Sequence, residues 1–325
     1  MSDTRVTDGN GGGDGAGRRR MLLDTASLYF RAFHGLPDTV RSPDGQPVNA
    51  VRGLLDMIAK LVTEFAPTDL VACWDDAWRP QWRVDLIPSY KAHRVEKTTE
   101  AGSVETVPDL LKPQIPVIRE LLELLGIPVI GAADHEADDV IGTLASRSRI
   151  PVDVVTGDRD LFQLVDDSTP VRVIYTGRGM SHLQLLDESE IEDKYGVRAG
   201  QYADFAVMRG DASDGLPGVA GIGEKTGATL LKSFGSLDGI IAAAADPDTD
   251  ITKTIRAKIL AAEDYLAVAP RVVEVVRTLD LPDYNSRISP IPPDRAAAID
   301  ALAERWGLGS SIERARSALA AAATR

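Results

Sequence analysis

Cysteine and histidine are scarce, with one Cys and four His in 325 residues. A lone Cys73 excludes a disulfide framework, and His34, His93, His135 and His182 are too scattered to form a zinc-binding pattern. Any metal held by this chain therefore rests on oxygen donors. No apolar run approaches the roughly 20 residues that a membrane span needs. Residues 1–20 are Gly-rich, end in Arg18-Arg19-Arg20, lack the apolar core of a signal peptide and read as a disordered leader. These absences point away from membranes and secretion, and the expected location is the cytoplasm. Positive charge is also short: 36 Lys and Arg face 49 Asp and Glu, a net charge of −13. That balance argues against a generic basic nucleic-acid binder unless the acids are concentrated in one place.

An apolar fraction of 44% with 26% charged residues supports a folded globular core. At roughly 100–200 residues per domain, the length fits two domains or one large one. Short β-type runs alternate with helical stretches: a strand at 21–24, a helix near 47–65, a strand at 69–75 and a helix near 113–125. Strands at 128–130, 152–156 and 171–175 follow, with a helix near 136–148 between the first two. This alternation predicts an α/β fold, a mostly parallel central sheet flanked by helices. Beyond about residue 187 the pattern turns helical, which divides the chain into an α/β core at 21–208 and a helical region at 209–325.

Residues 84–113 interrupt the alternation with Pro88, Pro108 and Pro113 and show no strand pattern. Residues 79–97 carry five bases (Arg79, Arg83, Lys91, Arg94, Lys97) against two acids, a bias suited to a functional loop. Tyr90 beside Lys91 and Arg94 pairs a ring that can stack on a base with cations that can meet a phosphate. A solvated charged loop is the plainer reading of the same residues. Trp74, Trp78 and Trp82 read as core or loop anchors.

Three β-type runs end in an acid: Asp24, Asp75 and Asp158. In a doubly wound sheet the carboxyl ends of the strands share one rim, so these acids converge. Glu136, Asp138 and Asp139 open the 136–148 helix, Asp160 follows Asp158, and Asp211 and Asp214 lie in a Gly-punctuated turn. Acids at helix starts also act as caps, so the Glu136 group is open to either role. Converging carboxylates repel one another unless cations neutralise them, and hard Mg²⁺ or Mn²⁺ ions prefer such donors. The segment from Gly218 to Thr226 is not a nucleotide P-loop, because Glu224 stands between Gly223 and Lys225. A tight turn remains, through Gly221 and Gly223 into a helix at about 224–233. Its free N–H groups, Lys225, Thr226 and Lys232 suit a phosphate backbone. A helix-packing joint is the competing reading.

Taken together, Asp24, Trp74-Asp75, Tyr90-Lys91-x-x-Arg94, Glu136-Ala-Asp138-Asp139, Thr156-Gly-Asp158-Arg-Asp160 and Gly210-Asp211-x-Ser213-Asp214-x-Leu-Pro217 through Thr226 resemble the flap-endonuclease superfamily of 5′ nucleases. The likeness covers about residues 21–290 and is nearest to the 5′ nuclease domain of bacterial DNA polymerase I. It implies a helical arch or gateway at about 84–113 and a helix-hairpin-helix at about 214–233. It further implies that the nine acids hold two or more Mg²⁺ or Mn²⁺ ions. Lys91 and Arg94 would then act on the scissile phosphate, with Arg83 and Tyr90 among the DNA contacts and backbone carbonyls of Val219 and Ile222 at a K⁺ ion. The implied activity is 5′-3′ exonuclease and 5′ flap endonuclease action in replication and repair. The expected substrates are DNA with 5′ flaps, 5′ ends or gaps, and RNA–DNA primer junctions, acted on by a free-standing monomer. A PIN-like ribonuclease and a non-catalytic DNA-junction binder are the alternatives.

Overall fold

The computed structural model describes residues 17–99 and 102–325. The expected leader lies mostly outside the described residues, but its end departs from expectation. Arg20 opens the first strand, Arg18 pairs with Asp69 at 2.7 Å, and Arg19 pairs with Asp153 at 2.8 Å. Asp69 and Asp153 are fully buried, and two buried carboxylates require cationic partners, which orders the arginines.

The strands are β1 (Arg20–Asp24), β2 (Asp69–Cys73), β3 (Val95–Thr99), β4 (Gly102–Glu105), β5 (Val129–Ile130), β6 (Val152–Thr156), β7 (Val171–Tyr175) and β8 (Gln184–Leu186). Six of them form a sheet in the order β5-β2-β1-β6-β7-β8, parallel except for β8, which runs antiparallel to β7. Alternate side chains enter two cores, as the two-residue period of a strand requires. Leu22, Val71 and Val154 face one way, towards Val140 and Phe205; Leu23, Ala72 and Val155 face the other, towards Leu54 and Ile312. A sheet covered on both faces explains the near-continuous apolar strands.

The helical half does not form one block. Helices Tyr202–Arg209, Glu224–Phe234, Leu237–Ala245 and Lys253–Ala261 share the apolar cluster of the first sheet face. On the opposite face the final helix, Gly309–Ala323, packs with helix Asn49–Phe65, where Arg314 bonds Asp56 at 2.7 Å, and helix Pro293–Trp306 packs with helix Gln114–Leu124. The reading of 209–325 as a single region is corrected accordingly, because Ala315, Leu319 and Ala322 bury against the sheet side.

A second correction concerns residues 84–113. They contain the β3–β4 hairpin, preceded by a helix at Gln81–Leu86. The hairpin escapes sequence reading because its residues are polar and threonine-rich, without an apolar alternation. Trp78 anchors it, its indole N–H donating to the Ser103 carbonyl at 3.3 Å, and Trp82 donates to the Asp134 carbonyl at 3.1 Å. Among the described residues, no single helix is long and apolar enough to cross a membrane.

Candidate active site

Strand β1 lies between β2 and β6, so the chain switches direction at this point and a crevice opens at the strands' carboxyl ends. Asp24 ends β1, while Asp75 and Asp158 each stand two residues beyond the neighbouring strands. Asp24 caps helix Thr25–Gly35 by accepting from the Ser27 N–H at 3.2 Å, and its other oxygen accepts from the Thr156 hydroxyl at 2.7 Å. Asp75 accepts from the Ala137 N–H at 2.8 Å, at the positive end of helix Ala137–Ser146. Asp158 accepts from the Asp160 N–H at 2.8 Å. Between Thr156 and Asp158, Gly157 donates to the Ser27 hydroxyl oxygen at 3.0 Å, and an added Cβ would lie 2.7 Å from that oxygen. Ser27 and Thr156 thus hold the acids in place. Ser27 belongs to no motif in the sequence and Thr156 enters only as part of the Thr156-Gly-Asp158 block, so neither stands out there as a site residue.

A cavity of about 1160 Å³ collects Asp24, Asp75, Glu136, Asp138 and Asp158 with Lys91 and Arg94. Burial pushes Asp24 up to about 7, against the hydrogen bonds from Thr156 and Ser27, and the charges of Asp75 and Asp158 add to the rise. Asp75 and Asp138 are also raised, chiefly by burial. Asp160 and Asp214, close behind Asp158, are raised in the same way. One oxygen of Asp160, Oδ1, is buried without any hydrogen-bond partner. Among the described residues, no three His, Cys, Asp or Glu side chains already enclose a metal position. The acids ring the cavity instead. Oxygen donors with unmet charge and an orphaned buried carboxylate oxygen fit hard divalent cations.

Glu136 and Asp139 are neutralised differently. They form a capping box at the start of helix Ala137–Ser146. Arg83 lies on both, 2.7 Å from Glu136 and 2.7 and 2.8 Å from the two Asp139 oxygens. Tyr90 donates its hydroxyl to Glu136 at 2.6 Å, and Lys91 also pairs with Glu136. Arg83 and Tyr90, expected among the DNA contacts, are both buried, and their polar ends bond within this network. Proximity in sequence to bases had grouped them with a surface loop. Burial pulls the Lys91 amine down, but Glu136, Tyr90 and Asp214 outweigh it and hold the amine above the ordinary lysine value.

The basic segment is stitched to the Asp211–Leu216 turn. Lys91 has a left-handed backbone, φ 46°, and donates its N–H to the Asp214 carbonyl at 2.9 Å. Ser89 donates to the Gly215 carbonyl at 2.7 Å, and Arg94 pairs with Asp214 at 3.2 Å. Asp211 accepts from the Ser213 N–H at 2.8 Å and pairs with Arg209 at 3.2 Å. Beyond the turn, helix Glu224–Phe234 leaves Lys225 and Lys232 exposed, with Thr226 half-buried. The Val219 carbonyl accepts from the Ile222 N–H at 2.9 Å, and the Lys258 ammonium stands 2.9 Å from the Gly221 carbonyl. A cationic group of the chain thus already occupies this turn.

Carboxylates gathered at a parallel sheet's switch point, faced by bases on a stitched loop, suit the hydrolysis of phosphodiesters. Residues 19–196 match the family described as 5′-3′ exonuclease, N-terminal resolvase-like domain, and residues 197–296 match its C-terminal SAM fold. The chain belongs to this 5′-3′ exonuclease family. It is 58% identical over 302 residues to a 5′-3′ exonuclease of Streptomyces coelicolor, covering 93% of this chain and 100% of that one. Its fold is similar to T5 5′-exonuclease with divalent metal ions (zinc) bound, at TM-score 0.61 and 18% identity over 94% of this chain and 100% of that chain. The catalytic core of Rad2 in complex with DNA substrate is also similar, at TM-score 0.56 and 17% identity over 94% and 92% of the two chains. At such identities these two likenesses are of fold.

Proposed function

We propose that this 5′ nuclease uses Mg²⁺ or Mn²⁺ to cut DNA at the junction of single and double strands, releasing nucleotides or short flaps as a cytoplasmic monomer. The observation that carries this reading is the convergence of Asp24, Asp75, Asp138 and Asp158 on one cavity, with Lys91 and Arg94 facing them. Asp24, Asp75, Asp138, Asp158 and Asp160 would hold the ions, with Asp211 and Asp214 bordering them. When bound, the cations supply charge neutralisation at the phosphate and an acidified water.

The chain's own residues do the rest. Thr156 and the Ser27 N–H fix the Asp24 carboxylate, so its oxygens need no reorganisation on binding. Lys91 and Arg94 counter phosphate charge once released from Glu136 and Asp214. Glu136 and Asp139 act through Arg83 and the loop, as positioning residues. Lys225, Thr226 and Lys232 would take the duplex backbone without reading bases.

The test is Asp158→Asn against a labelled 5′-flapped DNA duplex with Mg²⁺ or Mn²⁺. Cleavage should vanish while the circular dichroism spectrum and DNA binding persist. Undiminished cleavage would remove Asp158 from the site, and equal cleavage of an RNA flap would favour a ribonuclease.

A further inference from the structure

A second cavity, of about 600 Å³, adjoins the first at Gly157 and Asp158. Its far wall carries three cations that the sequence reading left out: Arg159, Arg178 and Lys194. They come from separate places, the loop after β6, the loop after β7 and the end of helix Glu188–Tyr195. None is closely neutralised. The nearest carboxylate to Arg159 is Asp211, at 3.9 Å. Arg178 makes no ion pair among the described residues and is exposed. Lys194 rests on ring faces instead, 5.7 Å over Tyr175 and 5.2 Å over Tyr195, an arrangement that holds an ammonium in place without cancelling its charge. In a protein of net charge −13, Arg159, Arg178 and Lys194 meet on one polar hollow that Asp158, Asp211 and Glu224 also line, and only Arg159 has one of these acids within 4 Å, which leaves two cations open to an anion.

The position of the hollow indicates which anion. It is bordered by Asp158, by Asp211 and Ser213 of a single turn, and by Glu224, where that turn leads into the Lys225 helix. It therefore lies between the carboxylate ring and the segment read as gripping the duplex. The loop of Lys91 and Arg94 lies across the first cavity, whose apolar wall includes Phe30, Leu36 and Met57. On the nuclease reading, a strand crossing from one cavity to the other at Gly157 and Asp158 has its unpaired side in the first and its paired side in the second.

We infer that Arg159, Arg178 and Lys194 form a cradle for the phosphates of the cut strand on the duplex side of the scissile bond. This deepens the nuclease reading and rests on it for the identity of the strand. The cradle makes binding depend on backbone charge, independent of base sequence, just beyond the bond that is cut.

Binding of the full-length chain to a fluorescent 5′-flapped duplex, in EDTA so that nothing is hydrolysed, tests this directly. The Arg178→Ala/Lys194→Ala double variant alters two exposed side chains outside the carboxylate ring. It should bind about tenfold more weakly, and its log K against log salt should be shallower by about 2, one unit per lost phosphate contact. On a duplex with methylphosphonate at the first three linkages on the duplex side of the cut, variant and wild type should bind alike. An unchanged salt slope on the all-phosphate duplex would overturn the cradle, as would an equal loss on the neutral-linkage duplex. Arg178→Lys/Lys194→Arg, which keeps both charges, should retain most of the wild-type slope. Cleavage by the wild type, run in parallel with Mg²⁺ or Mn²⁺, stands apart: its failure refutes the nuclease reading and leaves the binding result to judge the cradle.

Discussion

Arg83 closes a two-pronged contact on Asp139, Nη1 to Oδ2 at 2.8 Å and Nη2 to Oδ1 at 2.7 Å, with both side chains buried. The same guanidinium reaches Glu136 and the Val272 carbonyl, so one cation ties the start of helix Ala137–Ser146 to helices Gln81–Leu86 and Ala269–Val273. Removing it leaves two buried carboxylates short of a partner. Arg83→Ala should destabilise the fold by about 3–5 kcal/mol in urea unfolding. Arg83→Lys should recover little, because a lysine lacks the fork. A stability loss under 1 kcal/mol would mean that the network is replaceable.

Lys91 is held by Glu136 and by the backbone of Asp214, in a left-handed conformation at the rim of the acidic cavity. Sparsely populated backbone geometry at such a place is kept by its surroundings. Lys91→Ala should lower kcat on a 5′ flap by about 100-fold with KM changed far less, as expected for a group that meets charge developing on the phosphate. Steady-state kinetics decide this, and a change confined to KM would count against the role.

Asp24 is raised from 3.8 to about 7, chiefly by burial. The folded protein therefore holds a proton that the unfolded chain has lost in this window. Stability from this group is full below 3.8 and is lost as the pH rises through about 7. Divalent cations must displace that proton and relieve the same penalty. Titrating Mg²⁺ or Mn²⁺ at about pH 6, in buffers of different ionisation enthalpy, should reveal proton release, and the Asp24 share should shrink above pH 7. The cations should raise Tm more on the alkaline side. Absence of proton release at about pH 6 would contradict a raised Asp24 among the ligands.

Gly157 admits no side chain, since a Cβ would press on the Ser27 hydroxyl at 2.7 Å. Gly157→Ala should shift the Thr156–Asp158 segment and weaken divalent-ion affinity by about 10–100-fold, measured by calorimetry, with the fold preserved. Adding Ser27→Ala should regain part of that affinity. Unaltered affinity in the single variant would show that the segment yields without moving the acids.

The parallel α/β architecture is legible in the sequence, as are the acids Asp24, Asp75 and Asp158 at or just beyond strand ends. Apolar runs of strand length must be buried on both faces, and a parallel sheet places their carboxyl ends on one rim. It also supplied the Gly turn before Lys225, because glycine spacing there is a local matter. Tertiary structure alone decided how each charge is met. Arg83 and Tyr90 lie among bases in the chain, yet fold inward to Glu136 and Asp139, because buried carboxylates fix which cations are drawn from the surface. Arg18 and Arg19 leave the leader for Asp69 and Asp153 for the same reason. Arg159, Arg178 and Lys194 become neighbours only when β6, β7 and a later helix are brought together, and no spacing in the chain encodes that meeting. Backbone pattern is written locally, whereas the pairing of charges depends on distances that exist only after the chain has closed on itself.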